Sequence, residues 1–224
     1  MALYLGTQGV KVNLNGARKY IFAGRPDHLI LDGKLVWADP KLYLQAGGTQ
    51  YINTGVMPTG ALKTEVVAAD FGAGGENGSI LGAADASYPF IMTASGSWIY
   101  YRFWGTAAHV ATDTAYGKHC YSSDGNKGYY DAEQVYTGAT PVNISQPLYL
   151  FARNNEGTAG TLAKGKIYCC KFYNGNTLSL HLVPVPAGLK IGSYTTPSAG
   201  MFDIVAQQFY ANAGTGSFTY GKDN

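Results

Sequence analysis

The sequence predicts an all-β protein, a two-sheet antiparallel β-sandwich preceded by a short N-terminal β-hairpin segment. Three observations carry this reading. Short runs of alternating apolar and polar residues recur along the 224 residues, separated by Asn-Gly, Asp-Gly and other Gly-bearing turns. No segment holds a long apolar period of helical spacing. The composition is rich in Gly (30) and Tyr (18) with only 13% charged residues, which suits strands and turns better than helices.

The first 40 residues read as an appendage. Val10-Lys11-Val12-Asn13-Leu14-Asn15-Gly16 alternates and then meets an Asn-Gly turn, and residues 18–22 supply a returning arm. Leu29-Ile30-Leu31, Asp32-Gly33 and Leu35-Val36-Trp37 make a second hairpin. A two-stranded hairpin is marginal alone. The segment is therefore expected to pair with another chain or dock on a partner. Asp39-Pro40 marks the boundary between an attachment segment, residues 1–41, and a main domain, residues 42–224.

Strands then follow steadily. Residues 62–68 alternate, with Leu62, Thr64, Val66 and Ala68 on one side and Glu65 on the opposite, outer side. Residues 79–82, 88–93 and 97–104 come next. Residues 117–122 and 128–131 flank an Asp124-Gly125 turn. Residues 148–153 and 165–173 read as core strands, and Asn174-Gly175 turns the chain into 178–182. Near the C-terminus a strand ends at Phe209-Tyr210, a turn follows at Asn212-Ala213-Gly214-Thr215-Gly216, and residues 217–220 form a short closing strand. No internal repeat occurs at solenoid spacing.

Four segments carry a family resemblance. Phe202-Asp203-Ile204-Val205, Phe209-Tyr210 and Asn212-Ala213-Gly214-Thr215-Gly216-Ser217-Phe218 resemble the ending of LamG-like (concanavalin-like) jelly-roll modules in structural proteins of bacteriophages and prophages. Tyr43-Leu44-Gln45-Ala46-Gly47-Gly48-Thr49-Gln50-Tyr51-Ile52-Asn53-Thr54-Gly55 is similar to the opening of such a module. Lys166-Ile167-Tyr168-Cys169-Cys170-Lys171-Phe172-Tyr173 is similar to its late core strand, and Leu182-Val183-Pro184-Val185 to the strand that follows. Together they span residues 43–221; residues 70–140 carry no such motif. The resemblance implies a jelly roll on a virion, attached to other virion proteins through the N-terminal segment. A symmetric homo-oligomer, a trimer first among them, is expected because two isolated hairpins lack partners within so short a segment.

Composition narrows the function classes. Net charge is +2 and no Lys/Arg run exists, so nothing marks a nucleic-acid surface. No apolar run approaches the roughly 18 residues of a membrane span. No signal-peptide pattern opens the chain, so synthesis in a cytoplasm is expected; a bacterial host and residence in the virion are what the resemblance implies. Three cysteines, Cys120, Cys169 and Cys170, do not make a disulfide framework; buried small side chains are the expectation.

Concanavalin-like folds also host glycoside hydrolases, which aim two carboxylates at one bond, about 5–5.5 Å apart for retention. The glutamates are Glu65, Glu76, Glu133 and Glu156; the nearest acidic pairing, Asp131-Ala132-Glu133, reads as a solvated turn. His28, His109, His119 and His181 lack metal-ligand spacing. No Gly-x-Ser-x-Gly elbow occurs, and Ala73-Gly74-Gly75-Glu76-Asn77-Gly78 lacks the Lys-Ser/Thr of a phosphate loop. No catalytic residue is expected. LamG-like modules often bind calcium, which takes about six to eight oxygens. Asp70, Asp85, Asp113 and Asp124 sit in loops able to supply some, yet no dense Asp-x-Asp-x-Asp/Asn-Gly loop exists. The expectation is no cofactor and no metal residue set, with calcium as the one ion these loops would suit.

The most aromatic stretch is Trp98-Ile99-Tyr100-Tyr101-Arg102-Phe103-Trp104. As a strand it puts Ile99, Tyr101 and Phe103 on a core face and Trp98, Tyr100, Arg102 and Trp104 on the other. Flat rings stack on sugar faces and a guanidinium donates to hydroxyls, so this second set is the candidate glycan-binding face. The competing reading packs these aromatics under a loop or against another subunit, with Arg102 covering their edge. The expected function is a non-enzymatic virion structural or adhesion protein of tail, fibre or capsid surface. The alternatives are a carbohydrate-active enzyme or a secreted bacterial lectin, since fold alone does not choose.

Overall fold

The computed structural model describes residues 4–5, 8–9, 27–71, 78–85, 88–95, 98–111 and 117–224. Among these residues there are strands and turns and no helix. The chain begins with β1 (Tyr4–Leu5), β2 (Gln8–Gly9), β3 (His28–Leu31) and β4 (Lys34–Ala38). It continues through β5 (Leu42–Gly47), β6 (Ile52–Asn53), β7 (Leu62–Ala69), β8 (Gly78–Ala84), β9 (Pro89–Ser95) and β10 (Trp98–Phe103). Next come β11 (Thr106–Ala111), β12 (His119–Asp124), β13 (Lys127–Tyr130), β14 (Glu133–Thr137), β15 (Tyr149–Leu150), β16 (Arg153–Asn155) and β17 (Thr158–Gly160). The last third holds β18 (Lys164–Asn174), β19 (Thr177–Val185), β20 (Lys190–Ile191), β21 (Tyr194–Thr195), β22 (Gly200–Asp203), β23 (Gln208–Tyr210) and β24 (Thr219–Lys222).

Two large sheets form the sandwich. One runs β11-β10-β9-β8-β15-β6, with β16 attached to β8 and β17 to β16. The other runs β14-β13-β12-β7-β18-β19-β22-β23, with β5 paired to β18 and β24 to β5. Their inner faces share one core. Leu44, Val66, Ile167 and Phe172 from the second sheet meet Leu81, Phe90, Met92 and Ile99 from the first, all at most fractionally exposed. Burial of such side chains stabilises by roughly 1.5–3 kcal/mol each before entropy is counted. β7 alternates as its sequence requires: Leu62, Thr64, Val66 and Ala68 are buried and Glu65 lies on the outer face. Thr64 is admitted to the core because its Oγ1 lies 2.9 Å from Oγ of Ser123 on the neighbouring strand.

The expected all-β sandwich of antiparallel sheets is present, with two additions. A four-stranded sheet (β2-β1-β3-β4) and a ribbon (β20-β21) stand beside the two large sheets. In addition, β16 runs parallel to β8 while β15 runs antiparallel to it. The single strand expected over residues 148–153 breaks at Phe151, whose φ of +64° turns the chain. That turn sends the Phe151 ring into the core, stacked on Phe71 at 5.7 Å.

The N-terminal segment also differs from expectation. The hairpin over residues 10–22 lies outside the described residues. The second hairpin forms as β3 and β4, with left-handed φ at Asp32 (+49°) and Gly33 (+74°) in its tight turn. It does not lack a partner within its own chain. Ile30 and Leu35 pack on Val183, Val185, Ile191 and Phe202, which lie on the outer face of the second sheet and its adjoining ribbon. His28 Nε2 lies 2.9 Å from the carbonyl of Pro184. Lys222 spans the hairpin's base, 2.7 Å from Asp27 and 3.0 Å from Asp39. Gly192 belongs here because a Cβ would lie 2.9 Å from the Gly33 carbonyl.

At the C-terminus, residues 204–207 are a turn between β22 and β23 and not part of one strand. Buried Asp203 causes the reversal. Its carboxylate accepts from the N–H groups of Val205 (2.9 Å), Ala206 (3.1 Å) and His181 (2.9 Å).

Candidate functional site

β10 is held between β9 and β11, so Tyr100 stands opposite Thr93 on one side and His109 on the other. Ile99, Tyr101 and Phe103 are fully buried. Tyr101 also satisfies its hydroxyl inside the fold, donating to the carbonyl of Tyr129 at 2.6 Å. On the outer face Trp98 is 47% exposed, while Tyr100 and Arg102 are half-buried.

Trp104 does not join that face. It sits with Gly105 in the turn between β10 and β11, where both residues have left-handed φ (+54° and +113°). The turn takes the side chain out of the strand's alternation. Trp104 is 2% exposed, its indole N–H donates to the carbonyl of Val142 at 2.6 Å, and its ring packs edge-on against Phe90. The expectation of Trp104 as a ligand-binding residue on the Trp98 face is thus corrected. A strand ending one residue earlier reverses the direction of a terminal side chain.

The outer strip gains a residue that sequence reasoning missed. His109 on β11 is exposed and meets Tyr100 edge-on at 4.9 Å and Trp98 edge-on at 6.0 Å. Edge-to-face contact orients rings that would otherwise rotate freely. The signal was present in the Trp104-Gly105 turn, which sets Tyr100 opposite His109 once the hairpin register is known. Arg102 bends toward the same turn, its Nε 3.4 Å from the Gly105 carbonyl.

The other titratable groups are distributed differently. Glu65 on the outer face of β7 accepts from Lys171 Nζ at 3.1 Å and lies 3.4 Å from the Tyr173 hydroxyl. Asp131 and Ala132 form a turn with left-handed φ at both residues, and Glu133 begins β14 beyond it. The Asp131 carboxylate is engaged by His119 Nδ1 at 2.6 Å and by the Cys120 N–H at 2.9 Å. Of the loop aspartates, Asp70 pairs with Lys166 (3.0 Å), Asp124 with Lys63 (2.9 Å), and Asp85 accepts from the Tyr88 N–H (2.9 Å). Asp113 lies outside the described residues. Among the described residues no three His, Cys, Asp or Glu side chains converge as a metal site.

The cysteines occupy two faces of the second sheet. Cys170 is fully buried in the core, while Cys169 and Cys120 flank Val67 on the outer face. Burial pushes the Cys120 thiol up to about 11 and raises Cys169 and Cys170 as well. These thiols remain protonated at neutral pH and are poor nucleophiles.

No protein-family model matches the chain, and no curated protein matches its sequence. What the molecule does is then to be read from its own surfaces.

Proposed function

We propose that this chain is a non-enzymatic structural or adhesion module of a bacteriophage or prophage particle, displayed from a tail, fibre or capsid surface. Its sandwich is read as a LamG-like jelly roll. The observation that carries the proposal is how the segments of the resemblance meet. The opening segment contains β5, the late core segment is β18, and the closing segment leads into β24. β5 pairs with both, Leu44 opposite Tyr220 on one side and Ile167 on the other. The Asn212 side chain ties the closing turn together. Its carbonyl accepts from Tyr51 N–H (3.2 Å) and Gly214 N–H (2.8 Å), and its amide donates to the carbonyls of Thr215 and Gly216. The segments that carry the resemblance are thus neighbours in space, which supports reading them as one closure.

Host-surface glycan is the ligand proposed for the outer strip, with Trp98 and Tyr100 as stacking surfaces, His109 orienting them and Arg102 donating to hydroxyls. The N-terminal segment, residues 1–41, is proposed to join the module to other virion proteins within a symmetric homo-oligomer. The absence of a catalytic role is proposed on the same geometry: Glu65 is engaged by Lys171, and Asp131 by His119.

Purified particles and purified protein test this together. The chain should appear by mass spectrometry in particles, and light scattering should give an oligomer. A chain lacking residues 1–26 should no longer join particles. Turnover of a polysaccharide that disappears on removal of one carboxylate would overturn the non-enzymatic reading.

A further inference from the structure

The outer face of the second sheet is divided in two. At the β19–β22 end it is apolar and the β3–β4 hairpin covers it. At the β13-β12-β7-β18 end it is polar, and a groove of about 440 Å³ lies there. That volume falls within the range of small-molecule sites. We propose that this groove binds a neutral oligosaccharide. The site lies on the sheet opposite the Trp98 strip and does not rest on the reading given to that strip.

Strand register builds the floor. Tyr129, Ser122 and Glu65 stand opposite one another on β13, β12 and β7 and line it, and Lys171 on β18 stands opposite Glu65 beside it. The next outward row is Asp124, Lys63 and Tyr173. Tyrosines thus flank a strip of hydroxyl, carboxylate and ammonium groups. Turns make the walls, and they are pinned. Gly125 N–H donates to the carbonyl of Leu62 (3.1 Å) and Gly175 N–H to that of Ala61 (2.9 Å), anchoring both turns at the start of β7. On the other side the turn bearing Ala132 is fixed by Asp131 through Cys120 and His119. The groove is consequently preformed, which lowers the ordering cost of binding.

Charge selects the ligand class. Both lysines are neutralised in place, Lys63 by Asp124 at 2.9 Å and Lys171 by Glu65 at 3.1 Å. The groove therefore offers no net positive field to a polyanion such as nucleic acid or an acidic glycan. Its polar floor gives an apolar peptide nothing to cover. A chain of neutral sugars fits both features. Its C–H faces lie on Tyr129 and Tyr173, and its hydroxyls donate to Glu65 and Asp124 and accept from Lys63 and the Asn176 amide.

The test uses the full chain against an array of neutral glucose, galactose, mannose and N-acetylglucosamine oligomers, with heparin as the anionic probe. Calorimetry follows on any oligomer captured. At least one neutral oligomer should bind, and heparin should not. Tyr129→Ala and the isosteric Glu65→Gln should each weaken that binding about tenfold or more, equivalent to roughly 1.4 kcal/mol. Glu65→Gln should leave the melting temperature unchanged, which separates lost binding from lost folding. Trp98→Ala should not alter it. Capture of no neutral oligomer, preference for heparin, or binding that survives Glu65→Gln and is lost with Trp98→Ala would each overturn the groove proposal. Only the last of these would speak for the Trp98 strip.

Discussion

The side chain of Gln207 bonds both backbone groups of Leu35: its Oε1 accepts from Leu35 N–H and its Nε2 donates to the Leu35 carbonyl, each at 2.8 Å. It thereby acts as a strand neighbour for β4, joining the N-terminal hairpin to the turn after β22. Leu35 itself is fully buried. Gln207→Ala should cost about 1–3 kcal/mol, since two backbone groups lose partners. Faster amide exchange confined to β3 and β4 would show the local effect, and unchanged exchange there would refute it.

Acid should loosen the same hairpin. Burial holds the His28 imidazole below its ordinary value of 6.5, and the Pro184 bond and Asp27 oppose that only partly. His181 is lowered likewise, by burial first and then by Lys171. Both groups are depressed bases, so the unfolded chain takes the proton more readily. Their contribution is fully present above about pH 6.5 and declines as pH falls below it. Urea unfolding at about pH 7 and about pH 5.5 should show lower stability in acid. His28→Gln, whose amide can still donate to Pro184, should reduce the difference.

Asp203 should be among the least replaceable surface-loop anchors. It is 1% exposed and accepts three backbone N–H groups. Asp203→Ala leaves those donors unpaired and should cost about 3 kcal/mol or more by chemical denaturation. Asp203→Asn should cost less, because one amide oxygen still accepts.

Trp98 and Trp104 should separate sharply. Trp104→Ala opens a cavity in the core and should cost about 3–5 kcal/mol. Trp98→Ala, at a position 47% exposed, should change stability little while reducing attachment to host cells. Thermal unfolding beside a cell-binding assay reads both, and full attachment by folded Trp98→Ala protein would remove the strip from the proposed function.

The thiols should be sluggish. With Cys120 raised to about 11 and Cys170 fully buried, iodoacetamide at neutral pH should label the native protein slowly. Denaturant should release all three cysteines, and mass spectrometry counts them. Rapid native labelling at Cys170 would contradict the packing described.

Much of the fold was legible because period two is a local property. β7 announced itself through Leu62, Thr64, Val66 and Ala68, and the β3–β4 hairpin through Asp32-Gly33, since a tight turn with left-handed φ favours those residues. The inward set Ile99, Tyr101 and Phe103 was legible for the same reason. Local pattern failed where a single residue changed direction. Trp104 and Phe151 take left-handed φ, and only the core each one enters explains why. Asp203 turned an apparent strand into a hairpin because its carboxylate accepts N–H groups both from the neighbouring strand β19 and from the turn that follows it.

By itself, then, the sequence determined the class: alternation and turn residues dictate strands, and strands with one apolar face must pair into sheets that bury it. Tertiary structure alone decided the surfaces. Tyr129, Ser122, Glu65 and Lys171 are scattered over more than a hundred positions, and pairing register brings them into one row. His109 reaches Trp98 and Tyr100, and Gln207 reaches Leu35, in the same way. Such contacts depend on which strands become neighbours, and that choice is made by the energy of the whole core, which no local window of sequence contains.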